Sequence, residues 1–221
     1  MKNHFLNLTL LLLVTLFSTC KSEIEDKPKE TKTETDSRKK IIFFGDSLTA
    51  GMGLLNPDES FVSIIGQRLK QDGFDFKVVN AGLSGDTTSG GIVRLDWSIS
   101  KGVDYFILEL GANDGMRGIE TTLIESNLKQ IISKVRKKNP SVKILLVRML
   151  AFPNMGQSYV KKFNSIYPNL SSEENILLSP FLLEKVAGVK ELNQKDGIHP
   201  TAEGHKLVAE TLYPSIKKLI K

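Results

Sequence analysis

Cysteine and histidine are the scarce residues of this chain. A single cysteine, Cys20, among 221 residues excludes an intramolecular disulfide and any Cys-rich zinc site. Only three histidines are present, His4, His199 and His205, so any imidazole chemistry falls to very few candidates. Also missing are a Walker lysine and G-x-G-x-x-G spacing, although the run GDTTSGG over 85–91 superficially resembles a phosphate loop; nucleotide binding is therefore rejected. No basic stripe stands out either. Residues 41–221 hold 22 basic and 19 acidic residues, a net of +3, so a pI near 9.1 is no argument for nucleic-acid binding. The cations Arg136, Lys137 and Lys138 read better as a helix C-terminus, where positive charge favours the dipole.

What is present divides into three parts. Residues 1–20 read as a signal peptide: Lys2 supplies the positive start, and residues 5–17 form an apolar run interrupted only by Asn7, Thr9 and Thr15. That run is short for a membrane span. Cys20 follows Leu16-Phe17-Ser18-Thr19 and resembles the lipobox of bacterial lipoproteins, in which the cysteine is lipidated; Phe17 and Thr19 are bulkier than that pattern prefers. A simple signal peptide cut nearby is the alternative. Residues 21–40 hold one aliphatic residue and no aromatic one, too little apolar surface to offset ordering entropy, and are expected to be a disordered tether. The chain would then be exported to the periplasm or cell envelope and held at a membrane by a lipid anchor. Residues 41–221 suffice for one well-packed domain.

Within that domain, five short apolar runs (41–44, 76–79, 105–110, 143–149 and 175–178) are expected to be strands covered on both faces. Between them lie segments with helical spacing. Phe61, Ile64, Ile65 and Leu69 form one apolar stripe; Leu123, Leu128, Ile131, Ile132 and Val135 form another. A last helix should begin at Pro200 or Thr201, turn Val208, Ala209 and Leu212 inward, and be broken or kinked at Pro214. Alternation of strands and helices implies an α/β fold with a parallel sheet, a three-layer α/β/α sandwich of about five strands.

Ligands of such sheets bind beyond the C-terminal strand ends. Four polar, glycine-rich clusters should gather there: GDSLTAG (45–51), NAGLSGDT (80–87), GANDG (111–115) and DGIHP (196–200). Each alone is what any strand-to-helix turn wants. In this order, Ser47, Gly85, Asn113 and His199 match the four blocks of the SGNH (GDSL) hydrolases, and the chain resembles that family over essentially all of 41–221. The segments RLDW (94–97), GANDGMRG (111–118), PNMG (153–156) and ELNQKDGIHPTAEGH (191–205) are most similar to its compact bacterial arylesterase, acyl-CoA thioesterase and lysophospholipase branch. The resemblance implies a flavodoxin-like sandwich and a serine esterase.

The residues agree with that reading. A serine hydroxyl becomes a nucleophile only when a base takes its proton. His205 falls inside the last helix and reads as a surface or partly buried residue, which leaves His199, on a loop, as the base. Asp196, three residues earlier, is placed to accept the imidazole Nδ1–H and set its tautomer; a turn aspartate is the bland alternative. The Ser47 N–H, at a helix start, is a natural oxyanion donor, and the resemblance adds the Gly85 N–H and the Asn113 amide. Glycine at 85 would also keep a side chain from crowding the acyl carbon. Asp46 and Asp114 are expected to hold loop backbones, and Trp97 to lie in the core or the pocket wall. The segment around Met116 and Arg117, with residues 149–155 including Phe152 and Met155, corresponds to loops that line an acyl groove in the family. No metal and no cofactor is expected. The partner is a small ester or thioester bearing an acyl chain; a carbohydrate acetyl esterase on envelope glycans, or a binding lipoprotein without catalysis, are the other readings.

Overall fold

Strands β1 (Lys40–Gly45), β2 (Lys77–Gly82), β3 (Tyr105–Glu109), β4 (Lys143–Arg148) and β5 (Leu177–Phe181) form one parallel sheet in the order β2-β1-β3-β4-β5, the flavodoxin-like order. The computed structural model describes residues 37–221. The expected signal peptide, Cys20 and most of the tether lie outside the described residues. Lys40, counted with the tether above, is already the first residue of β1 and pairs in register with Lys77.

The apolar runs explain which strands are central. In β1 and β3 the residues from Ile41 to Phe44 and from Phe106 to Leu108 are sealed from solvent, as expected for strands covered on both faces. Strands β2 and β5 are only half-buried. They sit at the two edges, where one side has no neighbouring strand and the helices give less cover. Strand β5 also starts later than its apolar run suggested, because Asn175 takes a positive φ of 47° and closes a turn first.

Among the described residues, seven α-helices return the chain: α1 (Ser47–Ala50), α2 (Phe61–Gln71), α3 (Thr88–Ser98), α4 (Ala112–Met116), α5 (Thr121–Lys138), α6 (Gln157–Glu173) and α7 (Ala202–Ile220). Helix α2 buries Phe61, Val62, Ile65 and Leu69, with Ile64 partly covered. In α5 the buried apolar stripe begins at Ile124, whereas Leu123 is half-exposed; 124, 128, 131 and 135 keep the four-three-four spacing that a residue at 123 breaks. Thr201 caps α7 by accepting the Gly204 N–H. Pro214 does not end that helix. Ile216 and Leu219 are buried beyond it, and this burial outweighs the one backbone hydrogen bond that proline forfeits. Trp97 is neither core nor pocket wall: it stands 82% exposed on α3.

Candidate active site

The C-terminal ends of β1, β2 and β3 deliver the first three clusters to one edge of the sheet, and the loop before α7 lowers the fourth onto it. After β1 the chain turns at Asp46, whose side chain accepts the Leu48 N–H at 3.0 Å and caps α1. Ser47 is thereby the first residue of α1, where backbone N–H groups have no intrahelical acceptor. The turn is tight because Gly45 has no side chain: a Cβ there would collide with Glu109 and Thr49.

The fourth cluster arrives from the far end of the sequence. His199 Nε2 lies 2.8 Å from Ser47 Oγ, and its Nδ1 lies 2.7 Å from Asp196 Oδ2. The other oxygen of Asp196 accepts the N–H groups of Ile198 and His199, so one carboxylate shapes the loop and orients the ring. The hydrogen bond to His199, with those backbone bonds, holds the Asp196 carboxyl down at about 2. Gln194 ties this loop to the serine turn, donating its side-chain amide to the carbonyls of Met52 (2.7 Å) and Pro200 (2.9 Å). That glutamine falls within the 191–205 segment, but the sequence assigned it no role.

Gly85 sits at the third position of a turn closed by the Asp86 N–H on the Leu83 carbonyl. Its φ of +78° is what requires glycine. No protein atom outside its chain neighbours lies within 4 Å of where its Cβ would stand, so it is the backbone conformation, not crowding by the protein, that requires glycine here. Asn113, in α4, donates its amide to Asp46 Oδ2 at 3.1 Å and keeps a second N–H for a ligand. Asp46 and Asp114 do hold backbone, as expected: Asp114 accepts the N–H (2.9 Å) and hydroxyl (2.6 Å) of Thr88.

Beneath this layer are charged groups that the sequence reading passed over. Glu109 ends β3 fully buried, accepting the Thr49 hydroxyl (2.8 Å) and the Asp46 N–H (3.2 Å). Burial, then repulsion from Asp46, pushes its carboxyl well above the usual range. Burial likewise raises Asp46 to about 6. A charged residue closing the apolar run YFILE was the signal available. Arg94 donates to Asp86 (2.6 Å) and to the carbonyls of Ala81 and Gly45 (2.8 Å each), joining the serine turn to the Gly85 loop. His205, expected at or near the surface, is buried: it stacks on Phe61 and accepts the Phe61 N–H on Nδ1 at 3.2 Å, while desolvation lowers it to about 4.

A cavity of about 260 Å³ opens beside Ser47 and His199. Met116 and Phe152 line it, with Leu48, Met149, Leu150 and Phe181 among other apolar neighbours. Two expected wall residues do not. Arg117 reaches instead to the Gly85 carbonyl at 3.1 Å, and the Met155 methyl packs toward Gly118.

Known proteins resemble this chain in sequence and in structure. The GDSL-like lipase/acylhydrolase family matches residues 43–207. The esterase TesA of Pseudomonas aeruginosa is 34% identical over 85% of this chain and 92% of its own length. The thioesterase 1/protease 1/lysophospholipase L1 of Escherichia coli is 33% identical over 81% and 84%. Among solved structures, TesA superposes with a TM-score of 0.77 at 35% identity, covering 82% of this chain and 99% of that one. The psychrotrophic esterase EstA of Pseudoalteromonas sp., in its monoethylphosphonate-inhibited form, also gives 0.77, at 31% identity over 82% and 98%.

Proposed function

The chain belongs to the GDSL-like lipase/acylhydrolase family of SGNH hydrolases and is a carboxylic ester hydrolase; on that premise we propose that it works through an acyl-enzyme on Ser47, with His199 as base and Asp196 orienting it. The observation that carries this reading is the unbroken chain Ser47 Oγ, His199 Nε2, His199 Nδ1 and Asp196 Oδ2, with links of 2.8 and 2.7 Å, at the mouth of an apolar cavity.

In this mechanism Ser47 Oγ attacks the substrate carbonyl carbon as its proton passes to His199 Nε2. The charge that develops on the carbonyl oxygen is met by the N–H groups of Ser47 and Gly85 and by the free N–H of Asn113. One such donor is worth roughly a hundred- to a thousandfold in rate. Collapse breaks the bond to the leaving alkoxide or thiolate, which takes the proton from His199 and departs. Water then loses a proton to the same nitrogen, attacks the acyl-serine, and the acid leaves with Ser47 restored. Asp196, an anion throughout, stabilises the transient imidazolium.

The cavity favours a modest acyl chain. Its volume falls near the lower end of ligand pockets, roughly 300–1,000 Å³, and its wall is apolar apart from the reacting groups. That lining supports an arylesterase, thioesterase or lysophospholipase role, as in the named relatives, over deacetylation of polar glycans. Export by residues 1–20 and lipidation at Cys20 complete the reading, placing the enzyme in the cell envelope.

The test is hydrolysis of p-nitrophenyl esters across acyl lengths by the wild-type chain and by Ser47→Ala. Turnover that disappears with Ser47 and peaks at a short or medium chain supports the proposal. Serine-independent turnover overturns it. Fatty-acid labelling that is lost in Cys20→Ala tests the anchor separately.

A further inference from the structure

The cations of this fold are concentrated at one edge. In a parallel sheet with returning helices, the last turns of α2, α3, α5, α6 and α7 all finish at the edge where the strands begin, opposite the catalytic loops. That edge comprises those last turns, the links to the first residue of each following strand, residues 38–40 and Lys221. It holds fourteen Lys and Arg against six Asp and Glu. The other described residues hold eleven Lys and Arg against thirteen Asp and Glu. Helix dipoles account for part of this, since cations favour helix C-termini and α5 ends in Arg136, Lys137 and Lys138. They do not account for Lys40, Lys77 and Lys143, which begin strands, or for Lys101 in a loop.

Exposed apolar surface runs onto this edge from the middle of α3. Val93 and Trp97 are 84% and 82% exposed, and four residues apart they share one side of α3. Trp97 lies in the last turn of that helix, close in sequence to Lys101, whose carbonyl accepts a hydrogen bond from Lys40 Nζ. The chain also joins the domain here, at residues 37–40.

We propose that this edge docks on an anionic phospholipid surface, with Trp97 at headgroup depth and the lysines against lipid phosphates. A basic face attracts anionic lipid by about 1 kcal/mol per cation close to the surface, and tryptophan is the side chain most suited to the interfacial layer. The backbone of a nucleic acid would satisfy the lysines but leave Val93 and Trp97 in water. Docked this way, the domain turns its catalytic cleft from the bilayer toward the aqueous phase. Acylation of Cys20 would tether this edge more firmly but is not needed for the charge preference.

Trp97 is the only tryptophan of the chain, so intrinsic fluorescence reports its environment directly. The full chain is mixed with vesicles of phosphatidylcholine alone, or of phosphatidylcholine and phosphatidylglycerol in equal parts. We expect tighter co-sedimentation with the anionic vesicles, a blue shift of the emission on binding, and loss of the preference at high salt. The triple variant Lys137→Gln/Lys138→Gln/Lys143→Gln should lose roughly a hundredfold of that preference, about fivefold per cation. Its circular dichroism and its turnover of a soluble ester should match the wild type. Equal binding to both vesicles by the wild type overturns the proposal. So does a folded triple variant that keeps the preference, or binding with no shift in emission. Tighter binding to duplex DNA than to anionic vesicles would reassign the face to nucleic acid.

Discussion

Asn113 donates its side-chain amide to Asp46, the residue immediately before the proposed nucleophile Ser47, at 3.1 Å. One buried carboxyl thus does two things. Its Oδ1 fixes the turn that presents Ser47, and its Oδ2 orients the amide proposed to meet the oxyanion. The two halves of the proposed reaction, nucleophile and charge stabilisation, are registered to each other through Asp46.

Replacing that carboxyl by an amide should therefore damage rate more than binding. In Asp46→Asn the new NH2 group faces the NH2 of Asn113, two donors without an acceptor between them. We expect kcat to fall by about ten- to a hundredfold, within the cost of one oxyanion donor, with KM little changed. Steady-state kinetics on a p-nitrophenyl ester decide this; a matching rise in KM with constant kcat would place Asp46 in substrate binding instead.

At Asp196 the two simplest substitutions should rank in an unusual order. Asparagine can present its NH2 to His199 Nδ1 and so favour the tautomer with its proton on Nε2, which cannot accept from Ser47. The loss in kcat should approach about ten-thousandfold. Alanine imposes no tautomer and should cost less. Equal losses would mean that Asp196 acts by charge alone. The carboxyl is held at about 2, below its ordinary value, so its contribution to loop stability is present above about 3.9 and fades as pH falls through about 2.

His205 should appear in acid unfolding, not in catalysis. Burial lowers its folded-state value to about 4, against about 6.5 in an unfolded chain. Between those two values the unfolded state binds a proton that the folded state does not, so stability falls as pH drops through that window, by up to about 3 kcal/mol. In His205→Gln an amide oxygen can still accept the Phe61 N–H. Urea unfolding of both proteins from neutral pH to about 4 should show a shallower decline for the variant, with unchanged ester turnover at neutral pH. Parallel declines would refute this account.

The backbone at Gly85 makes a separate claim. Alanine meets no neighbour there but must adopt φ near +78°, which costs about 1–2 kcal/mol. Gly85→Asn should lose less stability than Gly85→Ala, and Gly85→Val most, because asparagine tolerates the left-handed region and β-branched residues do not. Thermal denaturation of the three variants ranks them.

Much of this was legible in the sequence because it is local. Continuous apolar runs named the strands, helical spacing marked α2, α5 and α7, and the alternation of the two dictated a parallel sheet whose C-terminal edge must gather the four clusters. The DGIHP segment even carries its own geometry, since three residues suffice to bring a carboxylate under an imidazole. What only tertiary structure decided are relations between segments far apart in the chain. Edge strands lose cover because of sheet order, which no strand's own residues encode. Trp97 faces water and His205 is sealed because of what packs beside them, not because of their type. Glu109 and Arg94 lie under the serine turn through contacts across 63 and 49 positions. The 2.8 Å link between Ser47 and His199 spans 152 positions. Local chemistry selects each residue for its turn, but burial and field at a point are sums over every segment that passes it, and those sums exist only once the chain has folded.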